Sequence, residues 1–143
     1  RLRQLFQAQQ LGVLASQNGG QPHTSLVAFA ATADLRHLVF ATTRTTRKYA
    51  YLKADARVAL LVDNRSHQDT DFHEAMAVTA YGRAVELSGA ERDGYRELYV
   101  GKHPHLREFA DAPSCALLAI AVRTYSVADR FQHVVEVPVT PWT

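Results

Sequence analysis

Between residues 41 and 48 the chain reads Ala-Thr-Thr-Arg-Thr-Thr-Arg-Lys, with four hydroxyls and three cations in eight residues. A β-rich run, His37–Thr43, leads into this stretch. Beyond it Tyr49 and Leu52 lie three apart beside Lys53, which predicts a helix over Thr45–Ala54. The turn therefore sits at a helix N-terminus, where the first amides lack partners and aligned peptide dipoles leave a partial positive charge. Acidic side chains favour that position; Arg44, Arg47 and Lys48 oppose it, each at a cost of about 0.3–1 kcal/mol if exposed. An anion among them removes the conflict. A phosphate accepts from free amides, threonine hydroxyls, guanidinium and ammonium groups together. The competing reading is a solvated basic patch in which Thr45 or Thr46 caps the helix unaided. There is no Walker loop and no glycine-rich dinucleotide turn, so neither a nucleoside triphosphate site nor a Rossmann crevice is supported.

Few other residues compete for a chemical role. His67, His73, His103, His105 and His133 have no zinc-site spacing and read as surface or loop residues, so no metal is expected. No side chain stands out as a catalytic acid or base. Arg65 has two readings, a contact to a bound ring or an ion pair with Asp63, Asp69 or Asp71. Tyr81, Tyr95, Tyr99 and Tyr125 read as core or interface aromatics. For Trp142 in the tail, covering a partner's active site is a reading that is not favoured. Cys115 is the sole cysteine, in an apolar run to Val122; it reads as a core thiol and fits a cytoplasmic, reducing setting.

The bulk of the chain bounds these options. Its 143 residues, 47% of them apolar and 21% charged, suit one globular domain spanning residues 1–143. No run approaches the roughly 18 apolar residues of a bilayer span, and no membrane partner is expected. The formal charge is only +2, and no stripe of alternating basic and aromatic residues accompanies it, which argues against nucleic acid. The local excess of Arg44, Arg47, Lys48, Lys53 and Arg57, opposed by Asp55, fits a small anion instead.

The elements that position the turn follow from periodicity. Leu2, Leu5 and Phe6 mark a short amphipathic helix within residues 1–10; strands are predicted over Leu11–Ser16, Pro22–Thr32 and His37–Thr43, with Asn18-Gly19 in the first turn. After the central helix come strands over Val58–Asp63 and Ala75–Leu87, the second irregular at Gly82. Asn64–His73 reads as a loop. Ser88-Gly-Ala-Glu91 has capping-box spacing and opens a helix that stops near Pro104, and His105–Ala110 reads as one further turn. Cys115–Ala128 is a last long strand and Val134–Thr143 an extended tail. The fold class is mainly β with flanking helices, a closed or nearly closed antiparallel barrel of about six strands.

This succession resembles the FMN-binding split β-barrels of the pyridoxamine phosphate oxidase family. The likeness rests on Thr46-Arg-Lys48 between a strand and a helix, on Asp55-Ala-Arg-Val58 opening the next strand, on Pro22–Val27, and on Ala80-Tyr-Gly-Arg-Ala84. Ala56 stands where the family has proline. The resemblance implies that Thr46, Arg47 and Lys48 hold the phosphate of FMN, that Ala41, Thr42 and Thr43 lie along its ribityl chain, and that Ser25, Leu26 and Val27 contact its ring. It further implies a homodimer with cofactor sites at the interface, to which the loop Asn64–His73 contributes, and an FMN-dependent oxidoreductase. Ser25 replaces an arginine of the oxidase proper, and that enzyme's carboxy-terminal substrate-binding arginine pattern is missing, which speaks against the vitamin-processing reaction. The alternatives are a non-catalytic flavin- or haem-binding module, for which a related haem-handling branch of the fold implies His73 or His133 as an axial ligand, and a deazaflavin or other phosphorylated-ligand binder.

Overall fold

The computed structural model describes residues 1–129 and 133–139, leaving aside the side chain of His73. Seven strands form one sheet: β1 (Leu11–Asn18), β2 (Gln21–Ala31), β3 (His37–Thr43), β4 (Arg57–Asp63), β5 (Met76–Glu86), β6 (Cys115–Asp129) and β7 (His133–Pro138). The sheet order is β3-β2-β1-β4-β5-β6-β7, and an antiparallel β3–β6 pairing closes the first six strands into a barrel. The strand β7 hangs on the outer edge of β6, so part of the stretch expected as an extended tail is a paired strand. The remainder of that tail, Trp142 included, lies outside the described residues apart from Val139. Among the described residues no helix is long and apolar enough to cross a membrane.

Two apolar clusters explain the burial patterns. Inside the barrel, Leu14, Phe29, Leu38, Phe40, Leu60 and Leu118 pack together, and the short helix α1 (Leu2–Ala8) adds Leu5 and Phe6. Burying a side chain such as Phe40 stabilises by about 1.5–3 kcal/mol. Outside, α4 (Gly89–Lys102) and α5 (Arg107–Asp111) lay Tyr99, Val100 and Ala110 over Val39, Leu117 and Ala119. A strand covered on both faces shows no alternation, and Cys115–Ile120 is buried at every position. The strand β4 is covered on one face only and alternates residue by residue.

Local chemistry sets the remaining turns. Gly19 and Gly20 take positive φ (57° and 87°) between β1 and β2, as the Asn-Gly pair predicts. Ser88 is the N-cap of α4, but its side chain makes no capping bond. Gly89 enters the helix at φ 61°, and with the chain so turned the expected reciprocal cap does not form. The loop expected over Asn64–His73 contains the start of a one-turn helix, α3 (Asp71–Glu74), where the Asp71 carboxylate accepts from the Ser66 and His67 amides. A 3₁₀ turn over Pro104–Leu106 joins α4 to α5, which matches the extra turn expected after Pro104.

Candidate functional site

The helix after β3 is α2 (Arg47–Ala54), with Thr46 as its N-cap and no acidic residue in its first turn. The Thr46 hydroxyl oxygen accepts from the Tyr49 amide at 3.2 Å and donates to the Thr43 carbonyl at 2.9 Å. The Thr42 hydroxyl lies 3.1 Å from it, so these threonines set the shape of the turn. The amides of Arg47 and Lys48 remain for an outside acceptor.

The three cations of the turn divide into two kinds. Arg44 donates to the Pro113 and Cys115 carbonyls at 2.9 and 3.0 Å and pairs with Glu86 at 2.9 Å. Glu86 also accepts from the Tyr49 hydroxyl at 2.6 Å and lies 3.7 Å from Lys53. These partners hold its carboxyl below the ordinary value, the Tyr49 hydrogen bond first and Arg44 with it. Arg44 is thus a clamp between the turn, β5 and β6, and is not free for a ligand. Arg47 and Lys48 make no hydrogen bond or ion pair among the described residues. Arg47 is exposed, whereas Lys48 is half-buried, and burial pulls its ammonium below the usual lysine value.

Lys48 borders a cleft of about 320 Å³ between the outer face of β1–β3 and the helices. Leu26, Val27, Ala28 and Ala41 form its floor, and Tyr99, His105 and Phe109 stand on the helical side. Leu26 is 64% exposed, a large apolar side chain left at the cleft without a neighbour to bury it. A long apolar wall ending in an uncompensated, half-buried cation fits a ligand with a flat body and an anionic end.

A family model described as pyridoxamine 5'-phosphate oxidase matches residues 1–128. This chain belongs to that family. The haem-binding protein from Mycobacterium smegmatis superposes with a TM-score of 0.84 at 16% identity, over 95% of this chain and 55% of that one. The chain thus spans about half the length of that relative. An FAD-binding protein from Mesorhizobium loti gives a TM-score of 0.73 at 20% identity, with 88% of each chain covered. General Stress Protein 26 from Bacillus anthracis gives 0.71 at 17%, covering 96% of this chain and 95% of its own. At such identities the likeness is one of fold. No curated protein matches the chain.

Within this pyridoxamine 5'-phosphate oxidase barrel, the residues predicted to form the site are only partly brought together. Leu26, Val27, Ala41 and Lys48 border one cleft. Thr46 and Thr42 organise the turn beside it, and Thr43 ends β3. Arg47 stands in solvent outside the cleft lining. Ser25 pairs in register with the fully buried Leu14, so its side chain faces the barrel interior, and its hydroxyl is buried without a hydrogen-bond partner. In this single chain, strand alternation separates Ser25 from Leu26.

The histidines also sort themselves. His103, read as a surface residue, is buried, with Nε2 2.7 Å from the Phe29 carbonyl. Burial lowers its pKa and favours the neutral ring. His133 pairs with Asp129 at 2.8 Å, and Arg65 with Asp63 at 2.8 Å, so the ion pair expected of Arg65 forms. The described residues contain no group of three or more metal-ligating side chains. Leu11, Ala28, Tyr99, His105 and Phe109 line the cleft without any signal in the sequence. They come from separate elements and meet only through tertiary packing.

Proposed function

We propose that this chain binds FMN in the Lys48 cleft and acts as an FMN-dependent oxidoreductase on a small molecule. The observation that carries this reading is Lys48 itself: a half-buried ammonium at a helix N-terminus, with no acid in that helix's first turn and no ion-pair partner among the described residues. Bound FMN would supply hydride or electron transfer, and the protein would supply orientation and electrostatics. Lys48 and Arg47, with their own amides, would hold the phosphate. Thr46, fixed by Thr42 and the Thr43 carbonyl, keeps those amides facing one way. Ala41 leaves room along the wall, and Leu26 with the backbone of Val27 and Ala28 gives the ring an apolar bed.

Leu11 (51% exposed), Leu26 and Phe109 (38% exposed) form an apolar rim at the cleft. A second copy of the chain would bury this rim and complete the site, and a homodimer is part of the proposal. His105 in the cleft wall favours one further reading, a haem-binding module, for which the likeness to a haem-binding protein is in keeping.

The test is reconstitution with FMN of the parent chain and of the Arg47→Ala, Lys48→Ala double variant. The parent should turn yellow and bleach with dithionite. The double variant should keep its circular dichroism and bind FMN at least about 100-fold more weakly, since each hydrogen bond from a charged donor contributes about 1.5–3 kcal/mol. Full flavin occupancy in the variant would remove the phosphate assignment, and a Soret band in place of flavin absorbance would favour haem.

A further inference from the structure

The opposite side of the barrel carries a second collection of cations that the cofactor reading does not use. Arg57 on β4 and Arg83 on β5 are register partners, directly across from each other on the outward face. Like charges so placed repel and weaken a sheet. Next to them the β5–β6 ladder slips: Tyr81 pairs with Thr124 and Gly82 with Val122, which leaves Arg123 as the extra residue of a β-bulge. The slip keeps Val122 and Tyr125 in the barrel core and adds a third outward guanidinium beside the first two. Glycine at position 82 is what lets the strands approach here, because a Cβ would lie 2.2 Å from the Ala121 carbonyl oxygen.

Together Arg57, Arg83, Arg123 and Tyr81 border a cavity of about 270 Å³. Among the described residues one carboxylate is seen beside the three arginines: Asp55 pairs with Arg57 at 2.7 Å, and its charge also reaches Arg83. Arg83 and Arg123 make no hydrogen bond or close ion pair among the described residues. Tyr81 is 42% exposed, so part of its ring is open to a ligand. None of these residues borders the Lys48 cleft.

We propose that this cavity is an anion site of its own, taking a small molecule that carries a phosphate group next to an aromatic ring. The guanidiniums supply paired donors whose fork geometry matches phosphate oxygens. Tyr81 supplies a face for the ring. The concave shape and the net charge of +2 fit a small ligand better than a polyanionic strand. Binding relieves the Arg57–Arg83 repulsion, so the anion stabilises the sheet as well as filling the cavity.

The experiment is calorimetric titration of phenyl phosphate, with inorganic phosphate as the second arm. It is run on the FMN-saturated chain and on the Lys48→Ala variant, so that the first cleft is filled in one case and disabled in the other. Both proteins should bind one phenyl phosphate per chain, more tightly than inorganic phosphate. Arg83→Gln should weaken binding roughly tenfold or more, and Arg83→Gln with Arg123→Gln further still. The Arg83→Lys, Arg123→Lys pair keeps the charge and should bind between the two extremes. Absence of saturable binding in the parent, or undiminished binding in the Gln pair, overturns the proposal. So does a change of oligomeric mass in the Gln pair by light scattering, which would make the patch a protein interface. None of these results bears on flavin occupancy, so the two sites fail independently.

Discussion

On the β1–β3 side of the barrel, helices stand over the sheet and the cations of the turn differ in their partners: Arg44 faces Glu86 and two carbonyls, Arg47 is exposed, and Lys48 is half-buried at a cleft. On the β4–β6 side no helix covers Tyr81, Arg83 or Arg123, and the arginines stand outward around one paired carboxylate. The same residue types therefore do different work according to what lies beside them. A count of positive charges along the chain treats Arg44 and Lys48 alike; the positions of Glu86 and of the Pro113 carbonyl separate a structural clamp from a cation with no counter-charge among the described residues. What marks a binding cation is the missing counter-charge together with a wall to hold the rest of the ligand.

This contrast can be broken most forcefully at Gly82. Gly82→Ala places a methyl group against a backbone carbonyl that cannot turn aside, and should cost about 3 kcal/mol, read as a shift of the urea midpoint. FMN affinity should hold in whatever fraction stays folded, because the cleft lies on other strands. A parallel loss of FMN affinity in that fraction would show that the two sides are one cooperative site.

A smaller effect is expected at the clamp. Arg44→Ala leaves Glu86 and two carbonyls short of a donor, and should cost about 1 kcal/mol, discounted for partial exposure. Its signature lies in acid. Because Glu86 is held below its ordinary value of 4.5, the folded chain binds fewer protons there than the unfolded one. The stabilisation is complete above that value and is lost as pH falls through the lowered one. Arg44→Ala should flatten this part of the stability-versus-pH curve. An unchanged slope would place the perturbation of Glu86 on Tyr49 and Lys53.

The mildest change sharpens the comparison from the helical side. A Cβ on Gly94, within α4, meets nothing within 4 Å, so Gly94→Ala should stabilise by about 0.5–1 kcal/mol in a thermal melt. FMN affinity should stay as it was.

Much of this organisation was legible from residue order, and the exceptions have physical causes. Strand bounds such as His37–Thr43 could be read because a β-rich apolar run bounded by turn residues is a local signal. The irregularity at Gly82 was also visible, but not that the extra residue belongs to β6, since register is a property of two strands. Thr46 as a helix cap was foreseeable from its hydroxyl and position. The role of Arg44 was not, because its partners Glu86 and Cys115 lie 42 and 71 residues away. His103 was misjudged for a related reason: beside Pro104 it looks like a helix-end surface residue, and only packing against Phe29 buries it. The strand β7 was missed because its apolar residues are exposed and it gains order by pairing with β6.

The central claim is that the Lys48 turn holds a phosphate, and comparing FMN with riboflavin isolates that group. Titrating the cofactor-free protein with each and following flavin fluorescence should give an affinity for FMN at least about 100-fold above that for riboflavin, in line with two or more charged hydrogen bonds. Equal affinities would mean that nothing in the cleft recognises the phosphate, and the account built on Lys48 would be wrong.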